Sequence, residues 1–414
     1  MSLISKVQVT EQEISQNFEE IAVVELFNQE KVLAAFRNNQ VSDSDFNPTT
    51  GYGYDDYGRD KLEAVYASVF KAEDALVRPQ IASGTHAITT ALFGVLRPGD
   101  QLLYITGKPY DTLESVIRSD ERDIGSLADF GVEYQSIPLK NDQVDMERVN
   151  EQIGNKTKVV AIQRSKGYDN RPSITIDEMK IIITEIRKMK SDVIIFVDNC
   201  YGEFVEKAEP IEIGADLIAG SLIKNPGGGI ARTGGYVAGK KELVEKAANR
   251  LTAPGIGKEI GASLGMLQEM YQGLFLAPHI VSEALRGAIF TSKFLTELGY
   301  QTEPHYQAKR TDLIQSVIFP TAEEMIAFCQ AIQEQSPVNA HVTPYPAPMP
   351  GYTDHVIMAA GTFMQGASLE LTADGPVRPP YTAYVQGGLT YAHVKIAVMK
   401  ACEKLENKVV QKNM

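Results

Sequence analysis

The chain has 414 residues, with 40 Lys+Arg against 53 Asp+Glu and a formal net charge of −13 at pH 7. Its 43% hydrophobic and 22% charged residues supply a large core, and the acidic balance argues against nucleic acid or anionic membrane as the main partner. The strongest apolar run, residues 193–197, has the length of a buried strand and falls far short of the ~20 residues of a membrane span. No apolar segment near the N-terminus resembles a signal peptide. Cys200, Cys329 and Cys402 stand far apart without metal-ligand spacing, so a cytoplasmic location is expected.

In chain order, Thr10-Glu11-Gln12-Glu13 has the Thr-x-x-Glu form of a capping box and predicts a helix opening there and running towards Asn38. Residues 47–59 mix tyrosines and glycines without periodicity. They read as an ordered loop, because tyrosines carry too much contact area to be left in water. Leu62, Val65, Tyr66 and Val69 then recur at helical spacing. From there to about residue 240, β-rich runs at 75–81, 101–106, 132–137, 158–163, 193–198, 216–221 and 235–238 alternate with helical segments. Several runs are continuously apolar, as parallel strands covered on both faces require, which predicts a doubly wound, mostly parallel α/β sheet of about seven strands. Residues 257 to 298 read as helix interrupted at Pro278. Beyond 300 come a strand at 312–319, a helix capped by Thr321 with Glu324, a Pro-rich stretch at 343–350 and a final helix from Tyr391 to Leu405. The expected organisation is a helical segment with an aromatic loop (1–60), a large α/β domain (61–298) and a small α+β domain (299–414).

Three strand ends hold residues that packing does not ask for, at the edge where ligands bind open α/β sheets. Ser83-Gly84-Thr85 follows one strand and opens a helix. It offers free amides, a hydroxyl and close approach to an anion, though Ser and Gly are also ordinary helix punctuation. Asp198 ends a wholly apolar strand, where a buried charge needs a cation or donors, unless it only caps the next helix. Lys224 follows the apolar run that ends Ser221-Leu222-Ile223. Desolvation there lowers an ammonium pKa and makes the amine a nucleophile; the alternative is a lysine at a loop start. Anion cradle, buried carboxylate and nucleophilic lysine together match pyridoxal 5′-phosphate, which needs donors for its phosphate, a carboxylate for its ring nitrogen and an amine for its aldehyde. Tyr110, just past another strand end, is placed to stack on the ring.

With these motifs, and with Pro109-Tyr110-Asp111-Thr112 and Arg378-Pro379-Pro380-Tyr381, the chain resembles the fold-type I pyridoxal-phosphate enzymes of the cystathionine/methionine-lyase group, in the aluminium-resistance branch. The resemblance runs from about residue 45 to the C-terminus. It implies a Schiff base on Lys224, which also moves the Cα proton, and Asp198 on the ring nitrogen. Gly84, Thr85, Ser83 and Ser221 fall at the phosphate, and Tyr110 is both ring partner and proton donor to the leaving sulfur. It further implies that Tyr52 or Tyr54, with Arg59, reach a neighbouring subunit's phosphate in a homodimer or homotetramer, and that Arg378 holds the substrate carboxylate. The chain departs from the group at Gln163 to Tyr168, where an asparagine for the ring hydroxyl is missing, at Leu222, where many lyases carry a hydroxyl, and at Thr112, where some carry cysteine.

Other motifs fail. Residues 234–240 nearly spell a phosphate-binding loop, but Lys241 stands where a Mg²⁺-binding hydroxyl belongs, and no dinucleotide fingerprint or His-Glu-x-x-His is present. His86 is expected to support its loop and Cys200 to be a small packed residue. The expected function is elimination of a thiol from a sulfur amino acid, giving a 2-oxo acid and ammonia. The rivals are a transaminase or replacement enzyme on the same scaffold, or a non-catalytic cofactor-binding stress protein.

Overall fold

The computed structural model describes residues 3–118, 125–349 and 352–412, so the last residue of the Pro-rich stretch, Pro350, lies outside the described residues. The apolar runs form β1 (Asp74–Arg78), β2 (Gln101–Tyr104), β3 (Glu133–Ser136), β4 (Thr157–Gln163), β5 (Ile194–Asp198), β6 (Leu217–Ser221) and β7 (Gly235–Gly239). They lie in the order β1-β7-β6-β5-β4-β2-β3. Strands β2 to β6 pair in parallel, whereas β7 runs antiparallel to both β1 and β6.

Two N-terminal helices, α1 (Leu3–Glu13) and α2 (Ser15–Asn38), precede α3 (Tyr57–Phe70). The expected capping box is not a helix start: Thr10 lies inside α1 and its hydroxyl donates to Glu297 at 2.8 Å, and the next helix begins at Ser15. At a mid-helix position the amides of the next turn already bond to backbone carbonyls, so Thr10 has none to cap.

The crossovers of the large sheet are α4 (Gly84–Val95), α5 (Asp111–Ile117), α6 (Met146–Gln152) and α7 (Ile176–Met189), and α8 (Lys241–Leu251) follows β7. Alternate strand residues divide between two cores. Leu76, Leu102, Val159, Phe196 and Ala219 pack with α4 and α8, while Val77, Leu103, Val160, Ile195 and Ile218 pack with α3 and α7. This two-sided burial is why the strands are apolar throughout.

The long α9 (Leu267–Glu297) runs unbroken through Pro278, contrary to the predicted interruption. Met270, Leu274, Val281 and Leu285 are all buried along it, and their packing outweighs the one hydrogen bond that proline removes. The stretch before α9 is not helical: Gly261 and Gly265 take φ of +118° and +75°, leaving only one 3₁₀ turn at Gly257–Glu259.

The C-terminal part carries a second, antiparallel sheet of β8 (Gln301–Glu303), β9 (Gln315–Phe319), β10 (Val356–Ala359), β11 (Thr372–Pro376) and β12 (Tyr381–Gln386). Its order is β10-β11-β12-β9-β8. Helix α10 (Ala322–Glu334), capped by the Thr321 hydroxyl as predicted, packs on this sheet and on α11 (Tyr391–Lys412). Of the five strands, only β9 was legible in advance.

Buried Arg164 joins the two sheets. Its guanidinium donates to Asn199 after β5 (2.8 Å) and to Thr311 before β9 (3.1 Å), and it lies 3.4 Å from Glu206 and 3.6 Å from Glu209. Removing one partner of such a set leaves the others as uncompensated buried charges. Arg164→Ala should therefore cost about 3–5 kcal/mol of stability, read as a lowered urea midpoint.

Candidate active site

Parallel strands end on one edge, and there the register sets Gln163, Asp198 and Ala219 side by side on β4, β5 and β6. Asp198 is 4% exposed, with the amide of Cys200 donating to it at 3.1 Å. Burial raises its pKa, against the pull of nearby Lys224 and of the Cys200 amide.

Lys224 places its Nζ 4.0 Å from the centroid of the Tyr201 ring. The expected depression of its pKa is reversed. Burial does lower it, but the acidic groups around it, Asp198 among them, raise it further, so its pKa lies above the ordinary lysine range. Glu203 is itself fully buried and pushed up to about 8 by that burial.

The cradle lies at the start of α4. Ser83 is its N-cap: the hydroxyl accepts from the His86 amide at 3.1 Å and the carbonyl from Ala87 at 3.0 Å. Of the first-turn amides, this leaves those of Gly84 and Thr85 for a ligand. His86 accepts from the Ala82 amide at 3.1 Å and so supports the loop. A Cβ on Gly84 would lie 3.1 Å from the sulfur of Cys200 and 3.4 Å from Cβ of Ser221, so this turn sits directly on the ends of β5 and β6. The Ser221 hydroxyl beside it is buried with no hydrogen-bond partner. Two amides and an unused hydroxyl around one glycine fit a phosphate, whose oxygens are acceptors.

Tyr110 is tied in from two sides. Its hydroxyl lies 2.9 Å from Thr85 Oγ1 and its amide donates to Gln163 at 3.1 Å. Burial and the nearby Asp198 hold the phenol protonated, a state in which it can donate a proton. The cavity that Tyr110, Asp198 and Lys224 line with Cys200, Tyr201 and Tyr168 measures about 170 Å³. It shares Tyr110, Gln163, Tyr168 and Tyr352 with an outer vestibule of about 200 Å³. Cys200 is buried and its thiol pushed up well above the usual range by that burial, so it acts as a packed residue.

The remaining candidates lie apart from Lys224. Arg378 rims the vestibule, 46% exposed, and pairs with Asp354 at 2.8 Å. Arg59 turns inward: its guanidinium donates to the carbonyls of Gly53 (2.7 Å) and Gly261 (3.1 Å) and pairs with Asp60, so within this chain it shapes the aromatic loop. Tyr52 and Tyr54 stack at 5.4 Å but stay 68% and 63% exposed, against the expectation that the loop would bury them. Tyr168, Tyr201, Tyr352 and Gln386 line the inner cavity and were missed. One signal was present: Thr382, Tyr384 and Gln386 alternate with Ala383 and Val385, a strand pattern.

Among the described residues no group of His, Cys, Asp and Glu could hold a metal ion, and no helix is long and apolar enough to cross a membrane. A doubly wound sheet with a lysine, an aspartate and an anion cradle on one edge fits pyridoxal phosphate, and its family match makes the chain a pyridoxal-phosphate-dependent lyase. The chain belongs to the methionine gamma-lyase family, whose model matches residues 3–406. It is similar to an uncharacterised Bacillus subtilis protein, YnbB, at 62% identity over 92% of this chain and 91% of that one. A solved Listeria monocytogenes structure, provisionally named a cystathionine beta-lyase involved in aluminium resistance, matches with TM-score 0.95 at 59% identity, covering 97% of this chain and 99% of that one. A carbon–sulfur lyase involved in aluminium resistance from Clostridium novyi matches with TM-score 0.93 at 47% identity, covering 97% and 95%.

Because the Ser221 hydroxyl makes no bond within the protein, Ser221→Ala should leave the melting temperature of cofactor-free protein unchanged or raised. The same change should weaken retention of pyridoxal phosphate by about tenfold, measured by fluorescence titration.

Proposed function

We propose that this chain eliminates a thiol from a sulfur amino acid through pyridoxal phosphate bound at Lys224. The observation that carries this is the convergence of Lys224, Asp198 and the Gly84–Thr85–Ser221 donors on one strand edge. When bound, the cofactor supplies an aldehyde for the amine and a ring that withdraws electrons. The chain's residues do the rest. Asp198, buried beside cationic Lys224, is the acceptor for a protonated ring nitrogen. Lys224 is the residue that would hold the cofactor's aldehyde and, as a free amine, would carry the Cα proton. Tyr110, held protonated next to Thr85, is placed to give its proton to the leaving sulfur. Loss of the thiol leaves an unsaturated amino acid, which water hydrolyses, so one substrate and one water give a 2-oxo acid, ammonia and a thiol.

The vestibule supports a finer reading. It gathers Lys108, Lys166 and Arg378 with Asp111, Glu114 and Asp169, so both signs of charge face the cavity mouth. A thioether whose far end carries its own ammonium and carboxylate, such as cystathionine, matches this better than the bare methyl of methionine. Arg378 is the group proposed for a substrate carboxylate. Tyr52 and Tyr54, exposed and stacked, are proposed to complete the site of a second copy, which makes a dimer the smallest active unit.

Purified protein should show a pyridoxal-phosphate absorbance band that borohydride fixes covalently to Lys224, and Lys224→Ala should abolish the adduct. Incubation with cystathionine, cysteine or methionine should release oxo acid and thiol, and absence of turnover with all three would sink the lyase reading. Arg378→Ala should raise KM about tenfold and leave kcat within a few-fold, in steady-state assays. Mixing Lys224→Ala protein with a Tyr52→Ala/Tyr54→Ala variant should restore activity through hybrid dimers, and no recovery would count against a shared site.

A further inference from the structure

We propose that Asp374 is a positioning residue of this site, holding Gln386 and Tyr168 so that the small-sheet wall of the cavity presents hydrogen-bond acceptors to the amino group of the substrate. The proposal rests on the function inferred above and deepens it.

It begins with the faces of β11 and β12. Ala373, Ala383 and Val385 belong to the core that contains Met325 and Phe328 of α10. Thr372 and Asp374 on β11, with Tyr384 and Gln386 on β12, occupy the alternate positions, so the sheet turns a polar face away from that core. Asp374 has 0% exposure and no ion pair among the described residues. A carboxylate in that setting is costly, and packing alone would favour an apolar side chain.

Its partners are specific. Nε2 of Gln386 donates to both carboxylate oxygens, at 3.2 and 3.3 Å, and the Tyr168 hydroxyl faces it closely enough to favour its ionised form. An ionised carboxylate only accepts, so it fixes the amide nitrogen of Gln386 and the phenolic hydrogen of Tyr168 towards itself. Gln386 and Tyr168 both line the cavity with Lys224. With one N–H of Gln386 turned to Asp374, its amide nitrogen is held on that side, and the acceptors left to the cavity are the amide carbonyl and the phenol oxygen. Such a wall favours an ammonium and disfavours a carboxylate, so it sets which end of an amino acid faces it. The ring of Tyr168 is held against Tyr384 (5.1 Å) and Tyr352 (5.8 Å), so the arrangement is built in advance.

The arrangement depends on charge. Burial pushes Asp374 up to about 7, against the opposing pull of Tyr168 and Gln386. The groups interacting with it from neighbouring elements are Tyr168, Tyr201, Tyr352, Tyr384 and, from α10, Cys329. Burial pushes all of these up, so they stay neutral across the physiological range. Asp374 is therefore the member of this group that changes charge near neutrality. Below about pH 7 it gains a proton, can itself donate, and frees the Gln386 amide to turn; above it, the acceptor wall is enforced.

The test uses holoenzyme and L-norleucine, an amino acid with no leaving group, titrated through the cofactor absorbance from pH 6 to 9. Wild-type affinity should rise with pH through about 7. Asp374→Asn should weaken norleucine binding about tenfold at pH 8 and flatten that rise, while the cofactor band and its retention stay as in wild type. With a turnover substrate the same change should appear in KM, with kcat within about threefold. Tyr168→Phe, which removes one hydroxyl and leaves Asp374 in place, should weaken binding in the same direction, and it decides the matter if the asparagine variant does not fold. Wild-type affinity and pH dependence in a folded Asp374→Asn or Tyr168→Phe protein would overturn the proposal. Protein that binds cofactor and norleucine but releases no thiol would sink the lyase reading and leave the norleucine result to decide Asp374. Protein that takes up no pyridoxal phosphate overturns both.

Discussion

A buried carboxylate and a half-buried ammonium meet at the ends of neighbouring strands, coupled through their charges, and much of the site is arranged around them. Asp198 ends β5, and Lys224 lies three residues beyond the end of β6, each close enough to shift the other's ionisation. Neither charge would be stable alone in such surroundings. A parallel sheet lets them meet, because its strands all end on one edge and neighbouring positions fall level. The pair also explains why the lysine is not a ready nucleophile in the free chain. Its neighbours favour the ammonium, so the amine becomes reactive only when an incoming group takes over the charge that Asp198 compensates.

The rest of the large sheet serves closeness at this edge. Gly84 lets α4 start against Cys200 and Ser221, where a Cβ at 84 would crowd the Cys200 sulfur and touch Ser221. Ser83 keeps its hydroxyl for its own helix, which separates residues that build the cradle from those that face a ligand. Arg164 ties the strand edge to the segment leading into β9, so the small sheet is held against the site by a buried polar set.

The large sheet was legible because its strands are buried on both faces, and continuous apolar runs can be little else at that length. The reversal of β7 was not, since Gly235–Gly239 reads the same in either direction. Three of the four strands missed in the small sheet, β8, β11 and β12, combine short length or buried polar positions in ways that composition reads as loop. Pro278 and Thr10 misled for a related reason: each obeys a local rule that tertiary contacts override. Position singled out Lys224 and Asp198 as candidates, but the direction in which the lysine is shifted depends on side chains that come together only in the fold.

The two sheets divide the work by kind of group. The large sheet supplies a charged pair and phosphate donors, which suit a fixed, highly polar cofactor. The small sheet supplies Gln386 and, through Asp374, a fixed orientation for Tyr168; these suit discrimination between the ends of an amino acid. Neutral hydrogen-bonding groups discriminate by direction, and direction has to be enforced by something that cannot itself turn round. A buried carboxylate meets that requirement because it accepts on every side. The partners of Asp374 are Tyr168 and Gln386, whereas Asp198 is the carboxylate coupled to Lys224, so the two buried acids act on different groups of the same cavity.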